Sequence, residues 1–173
     1  NRMNINIRWA QTDADYVAAF ELVNELARFE QAPQEVTLSV EQFMQDGKGE
    51  RALYRLLVAT VIDEQHPNPS VVGMALFYCM YSTWKGKIVY LDDLMVTETY
   101  RQYGIGQRLI DAVFAYARQE NAQQVRWHVL DWNTPAIRFY EKLGVTMEPE
   151  WITCKVSQKM LTEMSLNDNN FQP

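Results

Sequence analysis

At 173 residues, 47% of them hydrophobic, the chain has the size of one ordinary domain and enough apolar side chain to bury a core. Its net charge of −6 argues against a nucleic-acid partner and leans toward cationic small molecules. No window approaches the roughly 18 consecutive apolar residues of a membrane span, and residues 1–7 have no apolar signal core, so a cytoplasmic protein is expected.

Residues 4–9 alternate as a first strand. Thr12, Asp13 and Asp15 supply N-cap chemistry for a helix to about Gln31, and Phe20, Leu22, Val23, Leu26, Ala27 and Phe29 give it a broad apolar stripe suited to covering a sheet. Pro33 stops it. Ser39 and Gln42 fit a capping box for a short second helix through Phe43, closed near Gly47. Residues 53–62 and 71–81 are β-branched and aromatic runs, joined by DEQHPNPS, a surface loop with His66 in solvent. Trp84 to Lys87 form the next turn, and residues 88–96 the next strand. From Gly104 a helix puts Ile105, Leu109, Ile110, Val113, Phe114 and Ala117 on one core-facing side. Residues 124–131 read as a strand, with His128 a sheet-face residue. Asn133-Thr134-Pro135 opens a helix that stops at Gly144. Residues 145–147 and 152–156 read as two more short strands. Cys79 and Cys154, in alternating apolar stretches, read as buried free thiols.

The order is β-α-α-β-β-β-α-β-α-β-β, an α/β (α+β) domain over residues 1–164 in which a mixed sheet is covered by helices. Residues 165–173, SLNDNNFQP, have little to bury and form a frayed tail.

Residues 90–106, YLDDLMVTETYRQYGIG, concentrate the chemistry. An apolar strand ends in two carboxylates, and Arg101-x-x-Gly104-x-Gly106 then runs into a helix. Two glycines let backbone N–H groups approach an anion closely, and the helix's first turn adds unpaired donors and a positive dipole end. The stretch resembles motif A of the GNAT superfamily of N-acetyltransferases, and the element order resembles that superfamily over nearly the whole chain. The resemblance implies a mixed, mostly antiparallel central sheet splayed at an acetyl-CoA site, with helices on both faces. It implies that Arg101, Gln102, Tyr103, Gly104, Ile105, Gly106 and Gln107 cradle the pyrophosphate, and that the main chain of Leu94, Met95 and Val96 bonds the pantetheine arm. Asn133-x-x-Ala136-x-x-x-Tyr140 matches a second family pattern, in which Asn133 faces coenzyme A and Tyr140 donates a proton to the departing thiolate.

Four pieces carry a narrower resemblance: ELARFE (25–30), YSTWKGK (81–87), YLDDLMV with YRQYGIG, and VLDWNTPAIRFYEKLG (129–144). Together they are similar to the spermidine/spermine acetyltransferase family, most of all to its thialysine N-epsilon-acetyltransferase branch. That implies substrate-side roles for Phe29, Glu30, Ser82, Thr83, Trp84, Asp92, Leu130 and Asp131. The polyamine-acting branch has aspartate where this chain has Ser82. Replacing it removes about one charge-assisted contact to a second ammonium, roughly 1.5–3 kcal/mol. Both branches have glutamate where this chain has the shorter Asp92.

An alkyl ammonium of pKa ~10.4 is neutral in only about one molecule in two thousand at pH 7, a penalty of roughly 4.5 kcal/mol before attack. A carboxylate near the amine is therefore expected to matter, and Asp92 is assigned as the catalytic carboxylate that binds the amine and, through water, removes its proton. Strand alternation points Asp93 to the opposite face. The expected activity is acetyl-CoA-dependent N-acetylation of a small, thialysine-like primary amine by direct transfer in a ternary complex. The alternatives are polyamine acetylation and a non-catalytic acyl-CoA-binding module. The family implies a homodimer. No metal is expected, since no His, Cys or carboxylate cluster has ligand spacing.

Overall fold

The computed structural model of the chain describes residues 3–167 and 171, in two compact units divided after His128. Part of the expected frayed tail, residues 168–170, 172 and 173, lies outside the described residues.

The first unit is built on a sheet of β1 (Asn4–Trp9), β2 (Arg55–Ile62), β3 (Ser70–Ser82), β4 (Gly86–Val96) and β5 (Gln124–Arg126), in that spatial order. The first four strands are antiparallel, and β5 runs parallel to β4. Three helices belong to this unit: α1 (Asp13–Phe29), α2 (Val40–Asp46) and α3 (Ile105–Gln119).

Two-residue alternation sorts the strand side chains between two layers of helix. Leu56, Val58, Met74, Leu76 and Met95 pack with Tyr16, Ala19 and Leu22 of α1 and Phe43 of α2. On the other face, the Phe77 ring lies 5.1 Å from Tyr116 of α3, and Trp9 lies 5.7 Å from the same ring. Gly73 allows α3 to sit close, because a Cβ there would come within 3.2 Å of Leu109 and 3.1 Å of the Met95 carbonyl oxygen. The face read for α3 is the buried one: Ile105, Leu109, Ile110, Val113 and Ala117 are covered, with Phe114 half-buried against Trp127. Each fully covered Leu or Ile contributes about 1.5–3 kcal/mol.

Local capping fixes where the first helices begin. The Thr12 hydroxyl accepts from the Asp15 N–H, and the Asp15 carboxylate accepts in return from the Thr12 N–H at 3.2 Å. That buried carboxylate also takes both ends of the Arg8 guanidinium, at 2.7 and 2.9 Å, and the Gln11 N–H at 2.9 Å. The Arg8 hydrogen bond, with the backbone donors, holds Asp15 far below the usual carboxylate range. Asp15→Asn is therefore expected to cost about 2–4 kcal/mol at pH 7. Because the folded-state pKa is depressed, this contribution is present above the unfolded carboxylate range and is lost as pH falls below it. Urea melts at pH 7 and pH 3 check this: the gap between the two proteins should narrow at pH 3, and an equal gap at both would contradict it. Ser39 caps α2 by accepting from the Gln42 N–H at 3.1 Å.

The second unit contains α4 (Thr134–Lys142) and α5 (Gln158–Glu163). Asn133 caps α4 by accepting from the Ala136 N–H at 3.4 Å, and Gly144 ends it at φ 74°.

Several expectations are corrected. β5 stops at Arg126 rather than 131, and residues 145–147 and 152–156 form no ladder among the described residues. Their β-branched and aromatic composition favours extended backbone, but a strand is stabilised by its cross-strand partners, and Trp151, Ile152 and Val156 remain exposed. Both cysteines are free and exposed rather than buried. Burial along β3 stops at Phe77, so Cys79 lies beyond the helical cover, and Cys154 lies in the unladdered segment.

Candidate active site

The loop after β4 is shaped by its backbone. The Thr97 N–H donates to the Val72 carbonyl at 2.8 Å, and the Thr97 hydroxyl donates to the Glu25 carboxylate of α1 at 3.0 Å. A single 3-10 turn, Glu98–Tyr100, follows. Gln102 and Gly104 then take left-handed conformations, φ 70° and 75°. Gly104 is the N-cap of α3 and offers no side-chain acceptor, while the first bond within the helix runs from the Arg108 N–H to the Gly104 carbonyl at 3.1 Å. The N–H groups of Ile105, Gly106 and Gln107 therefore have no acceptor in the helix and point out of its positive end. A Cβ on Gly104 would meet nothing within 4 Å, and one on Gly106 only Val96 at 4.0 Å. Open space fronts a row of donors, which fits a pyrophosphate held through main chain. Arg101 is tied in place: its Nε donates to the Val96 carbonyl at 3.1 Å, and its guanidinium lies 5.6 Å from the Phe29 ring.

The cradle is braced from behind. The Tyr100 hydroxyl donates to the Asp63 carboxylate at 2.7 Å, with His66 Nδ1 also 2.7 Å from that hydroxyl. His66, expected in solvent, is half-buried there, because tertiary contact with the 3-10 turn draws the β2–β3 loop over it.

The sheet opens beside the cradle. Parallel pairing of β4 with β5 covers only Ile88↔Gln124, Val89↔Val125 and Tyr90↔Arg126. β4 continues past the end of β5 through Leu94, Met95 and Val96. Their main chain on that edge lies beyond the ladder.

A break in register within β4 decides where the carboxylates go. Leu76 pairs with Asp93 but Phe77 pairs with Leu91, so Asp92 is an extra residue bulged out of the ladder. The bulge resets the alternation. Asp93 shares the face of Leu76, the one covered by α1, so simple alternation from Leu91 no longer fixes the faces of the two aspartates. Glu30, immediately after α1, comes to the same place. Burial, then the charges of Asp92 and Glu30, push Asp93 up to about 7. Burial and Asp92 raise Glu30 as well. Asp92 keeps an exposed surface, yet partial desolvation of its carboxyl lifts it too, against the Tyr78 hydroxyl and His128, which favour its ionised form. Burial and Asp92 raise Tyr78 and push Tyr90 up to about 12. The Tyr90 hydroxyl hydrogen-bonds His128 Nδ1, and the Tyr78 and Tyr90 rings lie 5.4 Å apart. Glu30, Asp92 and Asp93 thus form an acidic wall, backed by Tyr78, Tyr90 and His128. The sequence reading left Asp93, Tyr78, Tyr90 and His128 out of the site. Only the adjacent aspartates hinted at it, and a bulge has no signature in one strand.

The remaining expected residues lie elsewhere. Ser82, Thr83 and Trp84 are at the β3–β4 turn, where the Ser82 hydroxyl accepts from the Trp84 and Lys85 N–H groups at 3.2 and 3.1 Å. Six residues of β4, about 20 Å of strand rise, separate that turn from Asp92, and the structure does not bring it to the carboxylates. Leu130, Asp131, Asn133 and Tyr140 belong to the second unit. There the Leu130 carbonyl accepts from the Asn133 N–H at 3.0 Å, making the turn that leads into α4. Tyr140 is the buried residue of α4, its ring 5.5 Å from Phe139.

The sequence model of the acetyltransferase (GNAT) family matches residues 17–145. The thialysine N-epsilon-acetyltransferase of Bos taurus is 41% identical over 125 residues, covering 71% of this chain and 74% of that protein. The Mus musculus protein of the same name is 34% identical over 158 residues, 88% of this chain and 93% of its own length. Among solved structures, a Bacillus halodurans protein crystallised as a tetramutant superimposes with a TM-score of 0.67 at 27% identity, covering 87% of this chain and 99% of that one.

Proposed function

The chain belongs to the acetyltransferase (GNAT) family and is an N-acetyltransferase, and from that premise we propose that it moves the acetyl group of acetyl-CoA onto the side-chain amine of a thialysine-like substrate. The observation that carries the donor side is the row of unpaired N–H groups at Ile105, Gly106 and Gln107 behind the Gly104 turn. Acetyl-CoA supplies the activated thioester. Residues 101–107 hold its pyrophosphate, and the main chain of Leu94, Met95 and Val96, beyond the end of β5, pairs with the pantetheine arm. Asn133 faces coenzyme A, and Tyr140 protonates the departing thiolate. Asp92, with Phe29 and Glu30, receives the amine, and Leu130 and Asp131 complete the substrate side; the Ser82–Trp84 turn, about 20 Å along β4 from Asp92, is left out of that site. Transfer is direct, in a ternary complex, within a cytoplasmic homodimer, for which Trp151, Ile152, Met160 and Leu161 offer exposed apolar surface.

The thialysine preference rests on the two relatives that carry that name. Thialysine's sulfur also withdraws electron density from its amine, so deprotonation costs less than in lysine. One observation favours a second reading. Three crowded carboxylates, Glu30, Asp92 and Asp93, suit a substrate with more than one ammonium, such as a polyamine. Coenzyme A release measured across thialysine, lysine, spermidine and spermine separates the two. Thialysine should lead spermidine in kcat/KM; spermidine in the lead would establish the second reading instead.

A further inference from the structure

Asp92 is the residue that family position assigns to the amine, but the bulge gives its neighbour the better place for proton transfer. Asp93 is the half-buried member of the pair, paired in register with Leu76 under the end of α1, while Asp92 is bulged outward and exposed. It faces Glu30 from α1 and Asp92 from its own strand, with Tyr78 of β3 and Tyr90 of β4 also close enough to feel its charge. Glu30, close enough to Asp93 to raise its pKa, stands at the C-terminal, negative end of α1. Burial, and the charges of Asp92 and Glu30, oppose a negative charge on Asp93 until a cation arrives.

On the premise of the N-acetyltransferase reading, we propose that Asp93 is the catalytic proton acceptor, while Asp92 and Glu30 bind and orient the ammonium. The substrate ammonium gives one proton to the Asp93 carboxylate, which becomes the neutral acid, and the freed nitrogen lone pair forms the C–N bond to the thioester carbonyl carbon. The C–S bond breaks with its electron pair on sulfur, the thiolate takes a proton from Tyr140, and the Tyr140 oxygen recovers the second proton lost by the nitrogen. Asp93 then releases its proton to water, so that one ammonium and one thioester yield one amide, one thiol and one proton.

The tuning suits the task. An acceptor near 7 takes a proton from an ammonium about a thousandfold more readily than an ordinary carboxylate, and remains about half ionised at neutral pH.

Dependence of kcat/KM on pH, which reports groups of the free enzyme, tests this in the wild type, Asp93→Asn and Asp92→Asn for whichever amine of the panel is turned over best. The wild type should lose activity below about pH 7. Asp93→Asn should lower kcat by roughly 10²–10⁴-fold and remove the acidic limb, with acetyl-CoA affinity kept. Asp92→Asn should raise the amine KM and keep the limb, displaced to lower pH because one negative neighbour is gone. A limb that survives in Asp93→Asn, or one that Asp92→Asn abolishes, would overturn the assignment. A carboxyl carbon NMR titration of Asp93 in the acetyl-CoA complex gives a readout independent of turnover: a midpoint near 7 supports it, and one in the ordinary carboxylate range overturns it. Failure of the thialysine reading looks different, as another amine taking first place with the profiles of all three proteins unchanged.

Discussion

Replacing Tyr140 with phenylalanine is expected to lower kcat by one to two orders of magnitude or more, with acetyl-CoA affinity within a few-fold of the wild type. The magnitude is that of a positioned general acid, about 10²–10⁴-fold. Without a donor, the thiolate leaves unprotonated. The phenyl ring keeps the volume of a residue that is buried on α4 beside Phe139, so no cavity of the kind that costs several kcal/mol is created. Stopped-flow turnover together with calorimetric binding of coenzyme A separates the two effects. Unchanged turnover would remove Tyr140 from the proton-donor role, while a matched loss of binding and turnover would make it a packing residue.

Gly106→Val is expected to weaken acetyl-CoA binding by about a hundredfold while leaving the fold intact. Gly106 lies in the first turn of α3, and its φ is not among the left-handed ones, so a side chain there meets no backbone strain. Its Cβ would find only Val96 at 4.0 Å. The side chain would fill open space at the end of α3 where Ile105, Gly106 and Gln107 have no acceptor within the helix. Holding the anion off one or two charge-assisted hydrogen bonds, each about 1.5–3 kcal/mol, accounts for the hundredfold. The melting temperature should change little, as glycine is itself the poorer helix former. Binding equal to the wild type would mean that the pyrophosphate lies elsewhere; a collapsed melting temperature would mean that Gly106 serves the fold instead.

Features fixed by a few neighbouring residues were legible in the chain. The Thr12 N-cap, the Ser39 cap, the Gly104 turn and the Asn133 cap each need only residues within one helical turn, and each formed. Only the Ser39 half of the Ser39–Gln42 box is made, because the Gln42 side chain donates to Asp46. The buried face of α3 followed from its own periodicity. What depends on a distant partner was not legible. Period-two reasoning put Asp92 and Asp93 on opposite faces, but their faces depend on how Leu76 and Phe77 align across the ladder. Residues 145–147 and 152–156 have strand composition but no strand partner among the described residues. His66 is held by Tyr100 and Asp63, a contact made between the β2–β3 loop and the turn ahead of α3. Exposure of Cys79 depended on how far along β3 the helices reach. The Gly104 turn and the open N-terminus of α3 were readable because they are main chain and local. The acidic wall was not, because it is made by a bulge and by the end of a helix remote in sequence.

The most direct measurement is a competition: the protein, acetyl-CoA and equal concentrations of thialysine and spermidine, with products identified by mass spectrometry and coenzyme A release followed in parallel. N-epsilon-acetylated thialysine should dominate, with one coenzyme A released for each amide formed. Acetylspermidine as the main product, or coenzyme A released without any acetylated amine, would contradict the assignment of a small amino-acid amine as the acceptor.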